Sequence, residues 1–160
     1  MNLIKNAKHE IFFTTPYLII TDEMSRELRM AARRGVDVRI VTPGIPDKKM
    51  VYQMTRSYYS ELARNGVRIY EYTPGFIHAK QCVCDGESAT VGTINMDYRS
   101  LFLHFENAVL LYRAEEIDRI EADFQDTLDK CLKVTPEYMK TISTKHKLLG
   151  FILKIFAPLM

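Results

Sequence analysis

Three strand-like runs separated by helix-length segments set the strongest limit on how this chain folds. The runs Ile11–Thr15, Val36–Val41 and Val67–Tyr72 are rich in β-branched and aromatic residues. Each of the two segments between them carries apolar residues at helical spacing and ends at a glycine. Strands joined through helices pair in parallel with right-handed crossovers. The pattern therefore predicts an α/β fold with a parallel centre.

The second half of the chain adds antiparallel elements to that prediction. Residues 76–84 form a strand that pairs with Ser88–Val91 across an Asp85-Gly86 turn, and Glu106–Tyr112 reads as another strand. A striped segment, Glu115–Lys133, predicts a final helix that includes Cys131. The expected architecture is an α/β/α sandwich on a mixed, largely parallel sheet.

The chemistry-bearing residues concentrate between Phe76 and Ser100. His78, Lys80 and Asp85 follow the spacing His-x-Lys-x4-Asp, and Gly92-Thr93-x-Asn95 comes soon after. On a strand over 76–84, His78 and Lys80 share one face, while Ile77, Ala79 and Val83 face the core. An imidazole can attack phosphorus or move a proton while an ammonium holds the negative oxygens, so the pair suits a phosphodiester without a metal.

Each of these elements has an ordinary structural explanation when it occurs alone. A His-x-Lys pair is usually a surface pair, and Asp-Gly is a common turn. Their coincidence at fixed offsets within one short stretch favours a catalytic site.

The charge distribution bears on the class of binding partner, and the cysteine content bears on the compartment. Residues 1–137 carry 18 Lys and Arg against 20 Asp and Glu, while 138–160 carry four lysines and no acid, which gives the net charge of +2. A slightly acidic body counts against nucleic acid as the partner. Three cysteines form neither a disulfide framework nor a zinc site, so we expect reduced thiols in a cytosolic compartment.

The signature resembles that of the phospholipase D superfamily, and the similarity extends through nearly the whole chain to the C-terminal half of bacterial cardiolipin synthases. The stretches that carry it are Thr15-Pro16-Tyr17, Gly35–Arg39, Pro43-Gly44-x-Pro46-Asp47, Thr55–Tyr58, Tyr70–Lys80, Phe105-Glu106-Asn107 and the ending Ala157–Met160.

The resemblance implies a phosphatidyltransferase that converts two phosphatidylglycerol molecules to cardiolipin and glycerol through a phosphohistidine, with no cofactor. His78 is then the nucleophile or the general acid, Lys80 and Asn95 bind the phosphate oxygens, and Thr93 assists them. Glu106 matches the acidic residue that orients the histidine. Asp85, although part of the signature, is expected to hold its turn, as is Asp97. Arg99 is either functional or part of a structural ion pair.

In that family two such halves share one phosphate site, and this chain has one signature. None of His9, His104 and His146 is followed by the rest of the pattern. Residues 1–135 are therefore expected to be the second catalytic half-domain of a longer enzyme, or else a single-motif phosphodiesterase or nuclease that completes its site as a homodimer. The half-domain alone is expected to be weakly active or inactive. A membrane-binding module with a degenerate site is a further alternative, and intact His78, Lys80 and Asn95 argue against it.

The last segment, residues 136–160, differs in character from the body. It begins basic and continues apolar, and it is too short to cross a bilayer. Such a tail either lies on an anionic membrane surface or docks on the domain or a neighbouring chain. The resemblance implies association with the cytoplasmic face of the cell membrane.

Overall fold

The computed structural model describes residues 1–142, 149–150, 152–154 and 157. Its elements in chain order are α1 (Asn2–Asn6), β1 (Glu10–Thr14), β2 (Leu18–Ile19), α2 (Asp22–Arg33), β3 (Asp37–Pro43), α3 (Lys49–Arg64), β4 (Arg68–Tyr72), β5 (Gln81–Cys84), β6 (Ser88–Gly92), β7 (Met96–Asp97), α4 (Tyr98–Phe102), β8 (Ala108–Tyr112), α5 (Glu116–Leu128), β9 (Cys131–Lys133) and α6 (Pro136–Thr141).

Seven of the strands form one mixed sheet in the order β8-β6-β5-β1-β3-β4-β9. Strands β1, β3 and β4 pair in parallel, as their helical connections require. The other strands pair in antiparallel fashion: β5, β6 and β8 extend the sheet beyond β1, and β9 extends it beyond β4. The predicted α/β fold on a mixed sheet is confirmed, with a smaller parallel portion than the sequence indicated.

Helices cover both faces of this sheet. Helices α1, α2 and α3 bury Ile4, Leu28 and Leu62 on one face. On the other, α5 buries Ile117 and Phe124. These buried side chains give the sandwich its two apolar cores.

The motif strand is shorter than predicted. Pairing with β1 begins at Gln81, opposite Thr14, and residues 76–80 lie outside the strand. The reason is that β1 ends there: Thr15 N points to β3, where it donates to Val41 O at 3.0 Å, and on the β5 side the next residue, Pro16, has no N–H to donate. The expected alternation therefore fails over 76–80, and Ala79 is exposed rather than buried.

The predicted C-terminal end of the final helix, at Lys133, is also wrong. Helix α5 ends at Leu128, and Cys131 lies in β9, where it pairs with Tyr72 of β4. Without β9 the outer edge of β4 would leave its backbone groups unpaired. The chain therefore returns to the sheet instead of continuing as a helix.

The described part of the tail packs on α3. Leu153 and Ala157 are buried in the core that contains α3, and Lys154 lies 4.0 Å above the Tyr58 ring. Tyr138 of α6 hydrogen-bonds buried Glu71 and accepts a hydrogen bond from Arg56 Nη2 at 2.7 Å. These contacts correspond to the docked alternative for these residues, while much of the basic head of the tail lies outside the described residues. The membrane-surface role remains a prediction.

Candidate active site

The β5–β6 hairpin joins the two parts of the signature. Cys82 pairs with Thr90 across it, and just beyond the strand Gly92 N donates to Lys80 O at 3.2 Å. The turn at Asp85-Gly86 has positive φ at both residues, which suits this sequence. As a result, the turn that contains Thr93 and Asn95 begins directly beside Lys80.

Lys80 and Asn95 line the same cavity, which has a volume of about 250 Å³. The Oδ1 atom of Asn95 is buried without a hydrogen-bond partner among the described residues. Partial burial lowers the pKa of Lys80, and the nearby carboxylates of Glu106 and Asp97 offset this only in part. Two groups suited to phosphate oxygens thus meet at one place, and one of them lacks a partner.

His78 lies on the segment that precedes β5, two residues before the cavity-lining Lys80. The residue is exposed, and its ring centroid lies 5.6 Å from that of Phe76. Its backbone oxygen accepts a hydrogen bond of 2.6 Å from Lys80 Nζ. The structure therefore ties Lys80 to the His78 backbone, and an exposed imidazole is open to a substrate or a partner.

Thr93 and Glu106 form a second cluster beside Lys80. The Thr93 hydroxyl donates to Glu106 Oε2 and accepts from Asn107 N at 3.0 Å. The hydrogen bond from Thr93 lowers the pKa of Glu106, and nearby His104 lowers it further. We expected Glu106 to orient His78. In the described structure, the Glu106 side chain instead contacts Thr93 and His104.

His104 is a residue that the sequence reasoning set aside. Its Nε2 accepts from Arg99 Nε at 3.1 Å, and its Nδ1 lies 3.4 Å from Glu106 Oε1. Arg99 thus meets a histidine rather than an ion-pair partner in the described chain. A search for a second His-x-Lys pattern could not find His104, because its only local signal is the carboxylate two residues later.

The carboxylates of Asp85 and Asp97 both accept hydrogen bonds from backbone N–H groups. The Asp85 carboxylate accepts hydrogen bonds from the backbone N–H groups of Lys8, His9 and Glu10 at 2.8–2.9 Å. Asp97 caps α4 by accepting from Ser100 N at 2.7 Å. Asp85 lies at the opposite end of β5 from Lys80.

Among the described residues, no His, Cys, Asp and Glu side chains form a group of three or more that could hold a metal ion. Within the same ranges, no helix has the length and apolar character needed to cross a bilayer.

The family model described as cardiolipin synthase, phospholipase D-like domain, matches residues 1–128. The chain belongs to this family. A cardiolipin synthase of Halalkalibacterium halodurans is 37% identical over 159 residues, which are 99% of this chain and 32% of that protein. An uncharacterised protein of Streptococcus mutans is 44% identical over the whole chain and 35% of its own length. This member of the cardiolipin synthase family thus spans about a third of these relatives.

Two solved structures of other proteins have a fold similar to that of this chain. The phospholipase D family member Nuc of Salmonella typhimurium has a TM-score of 0.72 at 20% identity, with 83% of this chain and 86% of that chain covered. Phosphatidylserine synthase of Haemophilus influenzae has a TM-score of 0.74 at 17% identity, with 99% and 41% covered. The phospholipase D-like fold is therefore confirmed.

Proposed function

We propose that this chain is the C-terminal catalytic half of a cardiolipin synthase that transfers a phosphatidyl group between two phosphatidylglycerol molecules and releases glycerol. The observation that carries the proposal is the intact set of His78, Lys80 and Asn95 in a member of this family. Lys80 and Asn95 line one cavity, and the backbone oxygen of exposed His78 accepts a hydrogen bond from Lys80 Nζ.

The chemistry needs two histidines. One attacks phosphorus and forms an N–P bond as the bond from phosphorus to the glycerol oxygen breaks; the other protonates the departing glycerol. The hydroxyl of a second phosphatidylglycerol then attacks phosphorus, gives its proton to that second histidine, and the N–P bond breaks. His78 is one of the two. Lys80, Asn95 and Thr93 bind the phosphate oxygens, and Glu106 is proposed to support the histidine pair.

A second phospholipase D-like half supplies the other histidine. An exposed apolar edge supports such a partner and consists of Phe102, Leu103, Phe105, Val109, Leu110 and Tyr112. Strand β8 is an edge strand whose residues are all exposed or half-buried, and the edge adjoins the Thr93–Glu106 cluster. An apolar surface of this kind beside an incomplete site fits a protein interface.

The competing proposal is a nuclease or another phosphodiesterase with the same signature. The slightly acidic composition of residues 1–137 supports a lipid substrate, because proteins that bind nucleic acids neutralise phosphates with basic surfaces. Phosphatidylglycerol at an anionic membrane, on its cytoplasmic face, is therefore the proposed setting.

Replacement of His78 tests the proposal. His78→Ala, in the protein completed by the second half, is expected to reduce cardiolipin formation by at least about 100-fold, because nucleophile or acid is lost. Vesicle binding should be unchanged. His9→Ala is the matched control, since His9 is also exposed but lies beside Asp85. Normal cardiolipin formation by His78→Ala would contradict the assignment.

A further inference from the structure

The cavity that begins at Lys80 and Asn95 extends into the apolar interior. Its deeper part is built from side chains of α1, α2, α4 and the sheet, namely Ile4, Met24, Cys82, Met96, Phe13 and Leu101. Ile4, Met24, Cys82 and Met96 are each at most 7% exposed. A charged residue at one end and apolar side chains behind it match an amphipathic ligand.

Strand register produces this arrangement. Cys82 pairs with Phe13 of β1 on one side and with Thr90 of β6 on the other, so the three side chains lie in a row on one face of the sheet. Lys80 is two residues before Cys82 and lines the same cavity. The chain therefore passes from Lys80 directly into the strand that supplies part of the apolar lining.

One buried polar atom of a cavity-lining residue has no partner. Asn95 Oδ1 has no hydrogen bond among the described residues. Buried polar groups are nearly always paired, so this atom points to a ligand with polar groups of its own. The Asn95 amide, turned by 180°, can donate to a phosphate oxygen.

We propose that this cavity binds the ester end and the first methylene groups of one acyl chain of the phospholipid substrate, while Lys80 and Asn95 hold its phosphate. The inference rests on the proposed function and adds the part of the lipid that this half recognises. At about 250 Å³ the cavity lies below the roughly 300–1,000 Å³ of sites for drug-sized ligands. It therefore accepts a segment of a lipid and leaves the rest of the acyl chain outside.

Methionine-methyl NMR of this chain measures the binding directly. Dihexanoyl phosphatidylglycerol, used below its micelle concentration, should shift the methyl signals of Met24 and Met96, which line the cavity. The signals of Met30 and Met50, which are 45% and 59% exposed, should stay in place and so exclude general adhesion. Deacylated glycerophosphoglycerol should bind at least about tenfold more weakly, which is what losing about two buried methylene groups costs.

A cavity-filling variant separates the acyl contribution from the headgroup. Thr90→Leu should weaken the binding of dihexanoyl phosphatidylglycerol by at least about tenfold and leave the affinity for glycerophosphoglycerol unchanged. Val91→Leu, on the opposite face of β6 and 40% exposed, is the matched control. Leu101→Phe fills the same cavity from α4 and serves if Thr90→Leu does not fold.

The outcomes distinguish this inference from the proposed function. Equal affinity for the acylated and deacylated ligands, or unchanged lipid affinity in both filled variants, would overturn the cavity assignment and leave headgroup recognition intact. If a thymidine dinucleotide bound at Lys80 and Asn95 while dihexanoyl phosphatidylglycerol and glycerophosphoglycerol both failed to bind, the proposed function and the cavity assignment would both be overturned.

Discussion

Asp85 shows that one signature contains residues with unrelated tasks. Lys80 lines the cavity, while Asp85 receives three backbone N–H groups at the start of β1. The four residues of β5 lie between them, so their Cα atoms are roughly 16 Å apart along an extended strand. The carboxylate therefore fixes the hairpin that places Lys80, and its effect is on folding rather than on phosphate binding.

Asp85→Asn should lower the free energy of unfolding by about 1.5–3 kcal/mol at pH 7, the usual range for hydrogen bonds to a charged group. Partial burial raises the pKa of Asp85, but the N–H donors of Glu10, Lys8 and His9 outweigh it, so the net pKa is lowered. Because the folded pKa lies below the unfolded one, the difference between wild type and variant is present above about pH 4 and is lost as the pH falls through the folded pKa. Urea unfolding across pH measures it.

Glu87→Gln is the control for Asp85. Glu87 lies on the same turn with a side chain 57% exposed, and its ion pair with Arg113 spans 3.4 Å. Its replacement should change stability by less than about 0.5 kcal/mol. Equal, small effects of both variants would show that Asp85 does not hold the hairpin.

At the scale of elements, the sequence predicted those whose signals are local. Helix α2 forms in the first helix-length segment, where the apolar spacing predicted a helix, and it buries Met24, Leu28 and Ala31. The Asp85-Gly86 hairpin likewise forms where turn chemistry placed it. Elements set by distant neighbours were missed: residues 76–80 lose strand structure because β1 ends, and β9 forms because β4 has an open edge. Neither cause is visible in the local pattern.

The tail provides the prediction at this scale. Leu153→Ala should lower the free energy of unfolding by about 2–4 kcal/mol, because Leu153 is only 7% exposed in the core beside α3. Ile152→Ala, at a neighbouring residue that is 45% exposed, should have much less effect. Chemical denaturation measures both. If the two variants were equally mild, the segment would be undocked, as the membrane-surface alternative requires.

At the scale of the molecule, the site extends beyond what a single chain sequence can specify. The signature identified Lys80, Thr93 and Asn95, and the fold brings them to adjacent positions. It did not predict His104 beside Glu106, which depends on the α4–β8 connection, nor the apolar edge, where exposure rather than residue type is informative. In the proposed shared site, a second half would cover this apolar edge.

Leu110→Asp should weaken association with the complementary half by at least about tenfold without unfolding the chain, because Leu110 is 65% exposed on the proposed interface. Leu132→Asp is the control: Leu132 is 48% exposed but lies on β9, at the other edge of the sheet. Sedimentation of mixed halves measures the association. Unchanged association of Leu110→Asp, or association of the chain only with itself, would contradict the proposed interface.

The most direct measurement is conversion of phosphatidylglycerol vesicles to cardiolipin and glycerol, in the presence of a chelator, by this chain with and without the complementary half. The account predicts turnover only when both halves are present, since each supplies one histidine to the phosphate. Turnover by this chain alone would contradict the split site. Hydrolysis of a simple phosphodiester by the two halves, with no cardiolipin formed, would contradict the synthase itself.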